Sequence, residues 1–110
     1  MHRSAGHGAA MSIDPEQCQT MTDVRAGVDA VDRQVVALIA RRFGYMDAAA
    51  RLKPDRAAVR DEERKAAVKA KVDAAAAAAG VDRALMARIY EALVETSIAH
   101  ELIVFDATRS

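Results

Sequence analysis

Aromatic residues make up only 4% of the 110-residue chain, and tryptophan is absent. A stacking platform for single-stranded nucleic acid needs exposed rings, so that class of binder is excluded. An excess of one charge is missing too: 16 Lys and Arg balance 16 Asp and Glu, for a formal net charge of zero. Without a global positive field, neither nucleic acid nor an anionic membrane is an expected partner. The single Cys18 leaves no intrachain disulfide and no paired metal-ligand spacing, which fits a reducing, cytoplasmic location. No apolar run has signal-peptide or membrane-spanning length. Glycine (5) and proline (2) are too few for a turn-rich all-β domain. Alanine and long straight side chains dominate instead, and these are strong helix formers. The expected class is all-α.

Residues 1–19 mix Gly, Ser, Pro and Gln without a period, which predicts a flexible leader before a folded domain over 20–110. His2 and His7 in that leader lack further ligands, so no metal site is expected there. From Thr20 or Thr22, either of which can cap a helix, Val24, Val28, Val31, Val35, Leu38, Met46 and Ala49 recur at helical spacing. Pro54 stops that helix near Leu52 or Lys53. A second helix follows Asp61, with Val68, Val72, Ala75, Ala76 and Ala79 on one face and Gly80 as terminator. Asp82 caps a third, whose stripe is Met86, Ile89, Tyr90, Leu93, Ser97 and Val104. Three helices result, one long and two shorter. At 1.5 Å per residue the first reaches roughly 45 Å, too long for two shorter helices to cover its apolar stripe. A two-fold dimer with the long helices side by side is the simplest closure.

Polar residues interrupt these stripes. At 100° per residue Arg42 returns to the angle of Val24, and Lys53 lies about 20° from it, in the middle of the apolar face. Arg41 and Arg51 point away from it, and Arg25 lies at its border. On the third helix Ser97 sits near the stripe centre, with Glu101 at i+4 and His100 at the other edge. A core-facing carboxylate must pair with a cation or bind a proton, and Arg42 and Lys53 are the candidate partners. Two readings stay open, a buried ion-pair network or a cationic pocket for a small polyanion. At the second helix entry, Asp61 and Arg64 or Lys65 continue the apolar face backwards by one turn. Serine-histidine-aspartate triads, phosphate-binding glycine loops and paired metal ligands are absent, so hydrolysis, nucleotide chemistry and metal catalysis have no support.

Asp23-Val24-Arg25-x-x-Val28-Asp29-x-Val31-Asp32, Arg41-Arg42 and Arg51-Leu52-Lys53, then Val59-Arg60-Asp61-x-x-Arg64 and Glu95-Thr96-Ser97-x-x-x-Glu101, together resemble the all-helical chorismate mutases and the related isochorismate pyruvate lyases. The resemblance spans about Cys18 to Phe105. It implies an intertwined helical-bundle homodimer without cofactor, with each active site completed by Arg25 of the neighbouring chain. It further implies that Arg25 and Arg42 hold the carboxylates of a small dicarboxylate substrate and that Lys53 and Glu101 flank its ether oxygen. Asp61, Arg64 and Ser97 would line the remaining contacts. Many members carry Gln at the place of Glu101 and Glu at that of Lys65. Pro15-Glu16-x-Cys18 and Arg41-Arg42-x-x-Tyr45 look more like the lyases, whereas Ser97 and Asp61-x-x-Arg64 look more like the mutases. The implied activity is rearrangement of chorismate to prephenate, in the shikimate pathway to aromatic amino acids. The alternatives are lyase action yielding salicylate and pyruvate, and a non-catalytic helical dimer whose inward charges fix its packing.

Overall fold

The computed structural model of the chain describes residues 13–109, which contain three α-helices and no strand. They are α1 (Met21–Leu52), α2 (Glu62–Ala79) and α3 (Arg83–Thr108). Two units compose the chain, Met1–Arg42 and Phe43–Ser110. His2 and His7 lie outside the described residues, as does most of the expected leader. The leader's described end is locally ordered, with a 3-10 turn at Pro15–Gln17. Proline at its first position supplies the turn's φ without sacrificing a needed donor.

In the first unit, Thr20 resolves the choice of cap. Its Oγ1 accepts from the Asp23 amide at 3.1 Å, while Asp23 Oδ2 accepts from the Gln19 and Thr20 amides at 3.1 and 3.3 Å. This reciprocal arrangement satisfies donors that a helix start otherwise leaves open. Beyond it, Val24, Val28, Val31, Val35 and Leu38 are all exposed. The periodic stripe is therefore present on α1 and exposed among the described residues.

In the second unit, α1 ends one residue before Lys53 and two before Pro54. The following link holds a 3-10 turn at Arg56–Ala58, capped by Asp55, which accepts from the Ala58 amide at 3.0 Å. Asp61 and Asp82 cap α2 and α3, each accepting at 2.9 Å from an amide three residues on. Gly80 closes α2 at φ 74°. The Val81 amide reaches the Ala76 carbonyl at 2.9 Å and the Gly80 amide that of Ala77 at 3.3 Å, the double closure that needs a left-handed residue. A Cβ at Gly80 would meet nothing within 4 Å, so backbone conformation and not space demands the glycine.

α2 packs along α3, and Ala50, Val59 and Phe105 form a core against which Ile98, Leu102 and Val104 pack. Two expected stripes need correction. On α3 the buried residues are Val94, Ser97, Glu101 and Phe105, whereas Ile89 is exposed. On α2 Ala76 is buried and Ala75 and Ala79 are exposed. The reason lies in packing: α3 meets the end of α1 and its following link with its second half, which selects a line through two polar residues that apolar periodicity undervalues.

Candidate active site

Lys53 leaves α1 with its amide still bonded to the Ala49 carbonyl at 2.9 Å. Its side chain turns inward, where Nζ lies 3.4 Å from the Val59 carbonyl, as donor, and 2.7 Å from Glu101 Oε2. The Glu101 side chain is 4% exposed and that of Lys53 is 28%. Oε2 is buried beside the ammonium, with no further donor at that oxygen among the described residues. Lys53, one of the two candidate partners for Glu101, thus meets it.

Ser97 lies one turn before Glu101 on the same buried line, and its Oγ donates to the Leu93 carbonyl at 2.6 Å. That bond satisfies a buried hydroxyl within its own helix. Asp61 Oδ1 caps α2 by accepting from the Arg64 amide, and both residues are exposed. Lys65 turns inward instead, with its side chain 15% exposed. It donates to Glu91 at 3.0 Å and Glu95 at 2.7 Å. Arg60 grips Glu95 through both nitrogens, at 2.6 and 3.2 Å. Hydrogen bonds from Arg60 and then Lys65 hold the Glu95 carboxyl down at about 2. Those from Lys69 and Lys65 likewise lower Glu91, while Glu95 and Glu91 raise Lys65. This chain of charges fixes the register of α2 against α3. Arg25, exposed, and Arg42, half-buried, belong to the first unit.

The sequence also concealed a clamp. His100 Nε2 lies 2.7 Å from Asp47 Oδ1, and its ring stacks on Phe43 at 4.9 Å between centroids. No local period links residues so far apart, although the placement of His100 at the stripe's edge was legible.

The profile of the chorismate mutase type II family matches residues 24–102. The chain belongs to that family. All seven candidate site residues, Arg25, Arg42, Lys53, Asp61, Arg64, Ser97 and Glu101, fall inside the matched span. The chain is also 38% identical over 50 residues to isochorismate pyruvate lyase of Pseudomonas aeruginosa, a match covering 46% of this chain and half of that protein. The all-helical architecture agrees with family membership, and no helix among the described residues is long and apolar enough to cross a membrane.

Proposed function

We propose that the protein is a chorismate mutase, rearranging chorismate to prephenate. The observation that carries this reading is the Lys53–Glu101 pair, with a half-buried ammonium 2.7 Å from an oxygen of a buried carboxylate. The rearrangement is concerted: the ether C–O bond breaks as a C–C bond forms, and negative charge grows on the ether oxygen. It asks for no nucleophile, base or cofactor, only for a folded substrate and donors at that oxygen. Lys53 Nζ is one donor. Glu101 is the other when it carries a proton, because an ionised carboxylate only accepts. Arg42, with Arg25 from a second copy, holds the two substrate carboxylates by charge-assisted bonds. Asp61, Arg64 and Ser97 complete the pocket.

The shared site requires a homodimer. The exposed valines and Leu38 of α1 support it, because a stripe of this length is costly to leave in water. Sedimentation of the purified protein is expected to give twice the chain mass. The similarity to a lyase favours a second reading, in which isochorismate is converted to salicylate and pyruvate.

A product assay offering chorismate and isochorismate separately tests both. Prephenate from chorismate supports the mutase, and salicylate with pyruvate from isochorismate replaces it with the lyase. Turnover of neither refutes both and leaves a non-catalytic helical dimer.

A further inference from the structure

Helix α1 ends without the device that ends α2. After Leu52 and Lys53 comes Pro54, which has no amide proton to return to the helix. The last carbonyls of a helix are open acceptors at the negative end of its dipole, and here something else must meet them. Arg109 does. Its Nη2 donates to the carbonyls of Ala50 at 2.9 Å, Arg51 at 3.1 Å and Lys53 at 3.1 Å. Three acceptors share a nitrogen with two protons, so at least one proton is shared between carbonyls. The guanidinium is itself held over the Phe105 ring, 4.1 Å from its centroid.

Glu101, Phe105 and Arg109 follow one another at i, i+4 and i+8, along one side of α3 and its cap residue. The same side therefore meets Lys53 twice. Glu101 meets its ammonium, and Arg109 meets its backbone carbonyl, while the Lys53 amide stays bonded to Ala49. The backbone held on both flanks sets where the Lys53 side chain starts, and the contacts of Nζ with the Val59 carbonyl and Glu101 set where it ends.

We propose that Arg109 is a positioning residue, which fixes the backbone of Lys53 so that Nζ lies at Glu101 Oε2. Its consequence for turnover rests on the assignment of Lys53 to the substrate in the preceding reading. Its consequence for the Lys53–Glu101 pair does not.

The test uses the full chain carrying Arg109→Met, which keeps an extended apolar stem against Phe105 but no donor, and Arg109→Lys, which keeps a single cation. Two quantities are read: the carbon-13 shift of the Glu101 side-chain carboxyl at fixed pH, and kcat and KM on chorismate and isochorismate. Arg109→Met is expected to displace the Glu101 resonance in the direction that Lys53→Met displaces it. It should also lower kcat about 10-fold or more while KM stays within about twofold, with Arg109→Lys intermediate. In a Lys53→Met background, Arg109→Met should change neither quantity further, because the group it positions is gone. An unmoved Glu101 resonance overturns the proposal, and so does a loss that adds fully to that of Lys53→Met, the mark of general support at a helix end. Should Arg109→Met fail to fold, Arg109→Lys makes the same comparison at smaller amplitude. If the unaltered protein turns over neither substrate, the catalytic reading fails, and the resonance still decides whether Arg109 positions Lys53.

Discussion

Removing the Lys53 charge while keeping its bulk, as Lys53→Met, strands a carboxylate whose side chain is 4% exposed. At the observed 2.7 Å, an effective dielectric near 20 gives a gross attraction of about 6 kcal/mol, part of which offsets desolvation. A second bound comes from proton binding. A stranded carboxylate escapes by taking up a proton, which for an ordinary glutamate costs about 3.7 kcal/mol at pH 7 and about 1 kcal/mol at pH 5. Since the Lys53 side chain is 28% exposed, the pair is partly screened, and the expected loss is about 2–3.5 kcal/mol at pH 7. At pH 5 it should fall to about 1 kcal/mol or less. Urea unfolding at both pH values, at one fixed protein concentration, measures this. The double variant Lys53→Met/Glu101→Met removes both charges and should lie within about 1 kcal/mol of the unaltered protein. A Lys53→Met loss that is equal at the two pH values, or that persists with Met at position 101, would refute the argument that a buried charge has been stranded.

Three further outcomes are expected. Glu101→Gln, which presents a donor without having to carry a proton, should raise kcat on chorismate in a steady-state assay. Asp61→Ala should cost about 1 kcal/mol through the lost α2 cap, with Asp61→Asn costing little, as thermal unfolding would show; if Asp61 also meets substrate, KM rises in both. Glu95, held at about 2 chiefly by Arg60 and then Lys65, is a depressed carboxylate. Its contribution to stability is present above the ordinary glutamate range and lost as pH falls from about 4 towards 2, so Arg60→Met should raise its NMR titration midpoint and weaken the acid dependence of unfolding in that window.

How much was legible depended on the range of the interaction. Five of the six helix ends follow from neighbours in sequence: Thr20 with Asp23, Pro54 after Lys53, Asp61, Gly80 and Asp82. Each acts on amides or carbonyls within five residues, so a local reading finds them. Lys53 and Glu101 were legible as polar intruders in apolar stripes, because a charge there needs a partner whatever the fold. Their pairing with each other was not, since Arg42 occupied the same stripe. Ile89 and Ala75 satisfied the period and are nonetheless exposed, for periodicity gives a face but not what lies against it. The Arg60, Lys65, Glu91 and Glu95 network and the contact of His100 with Asp47 join distant segments and left no local signal.

The sequence by itself determined an all-helical chain, the positions of five of its six helix ends and a short set of charged residues with no reason to be in a core. It could do so because helix propensity, capping and the 3.6-residue period act over one or two turns. The tertiary structure alone decided that Lys53 meets Glu101. It alone decided that Arg109 closes the end of α1. Those choices depend on which side of α3 meets the end of α1, and packing between segments some fifty residues apart sets that side.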